Sequence, residues 1–99
     1  MNITIESGKE TKVTLSGQLD TLAAVDFDRE MQQVLTEDVN TLILDGAELT
    51  YVSSAGLRSL LILHKSMMAK GGTLRLRNIK DQIMEIFNIT GFSSILNIE

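Results

Sequence analysis

Hydrophobic and polar residues alternate with a period of two at the start of the chain. Ile3 and Ile5 have polar neighbours, and the same pattern returns at Val13 and Leu15. This period is typical of a half-buried strand, because successive side chains point to opposite faces of a sheet. The pattern therefore predicts two strands joined by a turn near Gly8.

From Thr21 the period changes to that of a helix. Steps of 100° gather the apolar residues on one face, and Asp20 or Thr21 is suited to cap the first turn. A second helix is predicted from Ser53 or Ser54 to about Lys70, where a Gly-Gly pair stops it. The predicted apolar faces are Ala23, Ala24, Phe27, Met31, Val34 and Leu35 in the first helix, and Leu57, Leu60, Leu61, Met67 and Met68 in the second.

A third helix is predicted near the end of the chain. Asn78 and Asp81 resemble a capping arrangement at its start, and Gly91 follows its end. Its apolar side carries Ile79, Ile83, Ile86 and Phe87.

Three more strands complete the prediction. Residues 41–45 (TLILD) form a short apolar run of the kind covered on both faces, residues 73–77 (TLRLR) alternate, and residues 94–98 form a last short strand. Residues 46–53 are predicted to be a connection. Strands that alternate with helices indicate parallel crossovers. We therefore expect an α/β fold, a small mixed, largely parallel sheet with helices packed on it, as a single domain over residues 1–99.

Composition narrows the possible functions. The chain is 43% hydrophobic and 22% charged, with no cysteine and a net charge of −4. We expect neither disulfides nor thiolate metal sites, and the absence of a basic stripe makes nucleic acid an unfavourable ligand. The N-terminus lacks the pattern of a signal peptide, and no apolar run is long enough to enter a membrane. A cytoplasmic protein without direct membrane insertion is expected.

The predicted topology selects one edge of the sheet for function. In open α/β sheets, functional loops follow the carboxyl ends of the strands. The connections at 17–21 and 46–54 both lie at that edge. It is therefore the first place to look for a site.

Two motifs lie at this edge. The segment Ser53-Ser54-Ala55-Gly56-Leu57 opens the second helix, and Gly17-Gln18-Leu19-Asp20 precedes the first. Together with the later Gly-Gly-strand and Thr-Gly-Phe segments, they resemble the STAS domain, the fold named for sulfate transporters and anti-sigma factor antagonists. The resemblance spans nearly the whole chain. Two positions differ from the family pattern: Ser53 stands where Asp is usual, and Ala23 stands where a hydroxyl residue is usual.

The resemblance implies a regulatory role. Ser54 corresponds to the serine that a partner kinase phosphorylates in bacterial antagonists, and Asp20 would lie beside it. Ser53 adds a second hydroxyl as a less favoured acceptor. The implied function is an anti-sigma factor antagonist, which would bind an anti-sigma factor serine kinase while Ser54 is unphosphorylated and be restored by a serine phosphatase. An alternative is a STAS subunit of a membrane lipid or solute transport complex, which would bind its partner without phosphorylation.

Structural interpretations compete with these functional ones. Ser54 and Asp20 each suit a helix N-cap, and Gly56 suits close packing as well as the approach of a partner's backbone. His64 lies on the apolar stripe of the second helix and is expected to be a core histidine. It follows Ser54 by ten residues, or about 15 Å along a helix, which excludes a nucleophilic pair.

A docking surface is expected around Ser54. Apolar residues on otherwise polar helix faces, together with the two motifs, mark its members. No known catalytic motif is present, and neither an enzyme activity nor a cofactor is expected. The predicted partner-binding residues are Asp20, Thr21, Leu22, Val25, Ser53, Ala55, Gly56, Arg58 and Ile62.

Overall fold

The computed structural model describes residues 1–99 as a five-stranded sheet with three α-helices. The strands run in the order β1-β2-β3-β4-β5, with β1 antiparallel to β2 and every other pair parallel. This confirms the predicted mixed, largely parallel α/β fold. The elements are β1 (Asn2–Glu6), β2 (Glu10–Leu19), α1 (Thr21–Leu35), β3 (Thr41–Val52), α2 (Ser54–Ala69), β4 (Thr73–Arg77), α3 (Asp81–Thr90), a 3₁₀ turn (Phe92–Ser94) and β5 (Asn97–Ile98).

The hydrophobic core lies between the sheet and the helices. Each crossover from β2 onwards moves one strand further in the same direction, so right-handed crossovers place all three helices on one face. None of the helices has the length and hydropathy needed to span a membrane. The core includes Val13, Leu15, Leu42, Leu44, Leu74 and Leu76 from the strands, and Phe27, Met31, Leu57, Leu60, Leu63, Met67, Ile83 and Phe87 from the helices.

Two predicted strand ends were wrong. β2 continues past Gly17 to Leu19, and β3 continues to Val52 through residues predicted to be a connection. The cause is the pairing between these strands. Two bulges in the β2–β3 ladder insert extra residues into β3, so its buried residues Leu49 and Val52 are three apart. A period of three does not resemble a strand in the sequence.

The predicted stripe of α2 was also partly wrong. Leu63 and His64 are buried, whereas Met68 is 61% exposed and Leu61 is only partly buried. His64 is a core histidine as expected, but its Nδ1 atom has no hydrogen-bond partner.

Asn78 does not cap α3. The residue before α3 is Lys80, which makes no side-chain cap hydrogen bond. Asn78 has a left-handed backbone (φ 60°), and its side-chain amide donates to both carboxylate oxygens of Asp45 at 3.3 Å. The amide of Asn78 thus ties the end of β4 to β3 and does not start the helix. The last predicted strand, 94–98, is reduced to residues 97–98 after the 3₁₀ turn.

Asp45 anchors the bulge in β3. The Ala47 N–H donates to its carboxylate at 3.0 Å, and Lys12 lies 3.7 Å away. The Ala47 hydrogen bond, followed by the Asn78 amide and the Lys12 charge, lowers the pKa of Asp45 against the opposing effect of burial. The bulge that lengthens β3 is therefore held by a carboxylate in its ionised form.

Candidate functional site

The candidate site is built where β2 and β3 end side by side. Leu19 pairs with Val52 as the last residues of the two strands. The Ser53 N–H donates to the Leu19 carbonyl at 2.9 Å, and the Thr50 hydroxyl donates to the Gly17 carbonyl at 3.2 Å. These bonds fix the starts of α1 and α2 next to each other at the predicted edge.

Asp20 caps α1. Its carboxylate accepts from the Ala23 N–H at 2.9 Å, and its carbonyl accepts from the Ala24 N–H. Asp20 was one of two candidates for this role, and the structure assigns it to Asp20 over Thr21. The carboxylate is therefore engaged by the backbone of its own helix.

Ser53 caps α2, and its hydroxyl is used twice. Its Oγ accepts from the Gly56 N–H at 3.1 Å and donates to the Leu19 carbonyl at 3.2 Å. Ser53 is partly buried and has the extended backbone of an N-cap, with φ −81° and ψ 172°. A hydroxyl that already donates and accepts is a poor candidate for modification.

Ser54 is the first residue of α2 and differs from Ser53 in both respects. It is exposed, and its hydroxyl forms none of the side-chain hydrogen bonds of the structure. It lies in the first turn, where unpaired N–H groups create a positive end that favours added negative charge. Of the two adjacent hydroxyls, that of Ser54 is the accessible one.

Gly56 brings α2 against the end of β2. A Cβ atom at this position would lie 2.6 Å from the Leu19 carbonyl oxygen, 2.8 Å from Leu19 Cγ and 3.1 Å from Val52 Cγ1. Gly56 is buried by these contacts and contributes nothing to an exposed surface. The structure supports the packing interpretation of this glycine.

A groove between α1 and α2 begins at Ser54. It has a volume of about 690 Å³ and combines a small-residue floor with apolar and charged side chains. Sequence reasoning missed Ala24, Asp28 and Ser59, which line it because the two helices pack side by side. The lining residues are Thr21, Ala24, Val25, Asp28, Ser54, Ala55, Arg58, Ser59 and Ile62.

The structure separates two residues of the predicted surface from this groove. Asp20 and Leu22 line a different concavity on the β1 side of α1, together with Met1, Gln18 and Asp26. Leu22 is 82% exposed there. Neither Asp20 nor Leu22 lines the groove that contains Ser54, so their part in a surface around Ser54 stays a prediction.

Two charged side chains face the groove. Arg58 lies on α2 and Asp28 on α1, and neither takes part in an ion pair within the structure. Val25 and Ile62 supply exposed apolar surface beside them, with 58% and 45% exposure. The groove therefore offers an apolar contact, one charge of each sign and the accessible Ser54 hydroxyl.

Comparison with known proteins identifies the family of this chain. The model of the STAS domain family matches residues 2–99. The chain belongs to the STAS domain family. The anti-sigma-B factor antagonist of Bacillus subtilis is 28% identical to this STAS domain over 101 residues, which cover 99% of this chain and 92% of that protein. BtrV of Bordetella bronchiseptica, named as a candidate anti-sigma factor antagonist, is 33% identical over 81 residues, 82% of this chain and 70% of that protein.

Solved STAS structures share the fold. The anti-sigma factor antagonist SpoIIAA in its unphosphorylated form matches with a TM-score of 0.78 and 18% identity, over 99% of this chain and 87% of that one. The Bacillus SpoIIAA in its phosphorylated form matches with a TM-score of 0.77 and 19% identity, over 99% and 91%. These likenesses establish the architecture of the STAS domain, and its site is described by its own residues.

Proposed function

We propose that this STAS domain is an anti-sigma factor antagonist whose binding is switched by phosphorylation of Ser54. The observation that carries the proposal is the contrast between two neighbouring hydroxyls. That of Ser53 is engaged in capping α2, whereas that of Ser54 is exposed and without a hydrogen bond at the mouth of the α1–α2 groove.

The names of the relatives support the same function. Two relatives, whose alignments with this chain cover 92% and 90% of their length, are named anti-sigma-B factor antagonists. The structural relative SpoIIAA is known in both phosphorylated and unphosphorylated forms. The proposed partner is an anti-sigma factor that is itself a serine kinase, as the resemblance to bacterial antagonists implies, and a serine phosphatase would restore binding by removing the phosphate. The domain acts by binding, and its place of action is the cytoplasm.

The α1–α2 groove is the proposed docking surface. Val25 and Ile62 provide the apolar contact, and Thr21, Ala55 and Arg58 line the same groove as Ser54. Apolar side chains that pack into a desolvated centre usually supply most of the binding energy at such surfaces. Leu22 lines the other concavity, and the proposed surface does not include it.

Phosphorylation acts on the docked partner and leaves the fold intact. The Ser54 oxygen forms a bond to the γ-phosphorus of ATP, the bond to ADP breaks, and the hydroxyl proton passes to a base of the kinase. About 1.5 to 2 negative charges are added at the positive end of α2, which tolerates them. Asp28 lines the same groove, so the added charges make the groove more anionic, and a partner that presents carboxylates there is repelled.

The test is to incubate the domain with ATP and the kinase-type anti-sigma factors of the organism that encodes it, and then to map the phosphate by mass spectrometry. We expect one phosphate on Ser54, retained in Ser53→Ala and lost in Ser54→Ala. Phosphate that persists in Ser54→Ala would contradict the assignment. A pull-down that returns a permease or a transport ATPase in place of a kinase would contradict the function.

A further inference from the structure

Arg58 is the arginine that the structure leaves without a carboxylate. Arg29 pairs with Asp26 at 3.2 Å, and Arg75 and Arg77 both pair with Glu99 at 3.6 and 2.8 Å. Arg58 is exposed and takes part in none of the ion pairs or side-chain hydrogen bonds. An unpaired guanidinium therefore lines the groove that begins at Ser54.

We propose that Arg58 is the built-in counter-charge that binds the phosphate group of phosphorylated Ser54. The inference rests on the proposed function, since it concerns the same serine. It adds a residue on this chain that holds the modified state. The phosphate is then fixed along the α2 side of the groove and does not extend freely into solvent.

The helix places the two side chains at the right spacing. Arg58 follows Ser54 by four residues of α2, which brings their Cβ atoms to about 5–6 Å on the same face. A guanidinium presents a planar fork that binds phosphate through two parallel N–H···O bonds. An anion placed four residues before a cation is also the favourable orientation with respect to the helix dipole.

Unmodified Ser54 is uncharged, which explains why Arg58 has no partner on its own helix. A neutral hydroxyl gives the guanidinium no counter-ion, and Asp28 across the groove does not form an ion pair with it. Phosphorylation supplies two charges at close range. Asp28 lines the same groove, and its negative charge would repel the phosphate while Arg58 attracts it.

The experiment measures the phosphate itself. Phosphoserine is incorporated at position 54 by genetic code expansion. Its second ionisation is followed by ³¹P NMR between about pH 4 and 8, a range that brackets the usual second pKa of phosphoserine, about 6. One positive charge about 4 Å away lowers the midpoint by about 0.7 pH units, even at the dielectric constant of bulk water. We expect Arg58→Gln to raise the midpoint by that amount and Asp28→Asn to lower it.

Lys65→Gln is the matched control. Lys65 is an exposed cation on the same helix, eleven residues after Ser54 or about 16 Å along the axis, and its loss should leave the midpoint unchanged. Equal midpoints in the phosphorylated parent and in Arg58→Gln would overturn the proposal. In the protein with phosphoserine at position 54 and no other change, the Arg58 Nε–H resonance should also shift as the phosphate ionises. An unchanged resonance would overturn the proposal without any further variant.

The two proposals fail separately. The phosphate is installed without a kinase, so a domain that no anti-sigma factor phosphorylates still reports whether Arg58 binds it. A lowered midpoint together with a negative kinase assay would retain the Arg58 contact and refute the switch. Phosphorylation at Ser54 by the kinase with no effect of Arg58→Gln would do the reverse.

Discussion

The substitution Gly56→Ala sets two physical effects against each other. Gly56 lies in the first turn of α2, where helix propensity favours alanine by about 1 kcal/mol. The added methyl group, however, would lie 2.6 Å from the Leu19 carbonyl oxygen and 2.8 Å from Leu19 Cγ. Propensity thus predicts a more stable protein, and packing predicts a less stable one.

The structure indicates that packing dominates. Overpacking a well-filled site costs about 1–3 kcal/mol, and here the nearest atom is backbone. The Ser53 N–H holds this carbonyl at 2.9 Å, so the strand and the helix cannot separate without losing that bond. Taking a cost of about 3 kcal/mol against a gain of about 1 kcal/mol leaves a net loss of about 2 kcal/mol.

Urea and thermal unfolding followed by circular dichroism measure this quantity. For a domain of this size, a loss of about 2 kcal/mol lowers Tm by roughly 8–16 °C. Gly71→Ala is a useful comparison, because nothing lies within 4 Å of a Cβ there and only the left-handed backbone (φ 80°) opposes the change. A Gly56→Ala protein as stable as the parent, or more stable, would refute the packing argument.

Three further predictions concern the cap of α2, the bulge in β3 and the groove. Ser53→Ala should lower the free energy of unfolding by about 1 kcal/mol because α2 loses its cap, while Ser54→Ala should change it by less than about 0.5 kcal/mol, as urea unfolding will show. The pKa of Asp45 is lowered in the folded state, so its carboxylate stabilises the protein above the unfolded pKa near 3.8, and this stabilisation is lost as the pH falls through the folded pKa. Acid unfolding of Asp45→Asn should lack that part of the pH dependence, and acid unfolding curves identical to those of the parent protein would contradict the prediction. Val25→Ser should weaken binding of the anti-sigma factor about tenfold in calorimetry, and Leu22→Ser should leave it unchanged, because Val25 lines the groove of Ser54 and Leu22 does not. A larger loss of affinity in Leu22→Ser would place the partner on the concavity that Leu22 lines.

Local patterns in the sequence predicted most of the fold. The order of strands and helices follows from periods of two and 3.6, which arise from neighbours in the chain. The end of β3 could not be predicted in this way. Its bulges depend on pairing with β2, and they move Leu49 and Val52 out of any simple period. Asn78 could not be placed from local sequence either. Asparagine is a residue type that often caps helices, but this side-chain amide binds Asp45, 33 residues away.

The site was predicted in outline but not in detail. The motif placed Ser53 and Ser54 at the start of a helix, but which one caps it depends on backbone angles and on the Leu19 carbonyl. Helical periodicity gives a direction only relative to the core, so it could not show that Leu22 and Val25 line different concavities. Asp28 was missed since its place in the groove depends on how α1 packs against α2.

The affinity of the anti-sigma factor for the two forms of the domain is the most direct test. Isothermal titration calorimetry would compare the unmodified protein with protein carrying phosphoserine at position 54. If the phosphate reduces the binding free energy by about 3 kcal/mol, the affinity falls about 100-fold. The Tm of the domain should not fall. Equal affinity for both forms would show that the exposed hydroxyl of Ser54 is not the switch.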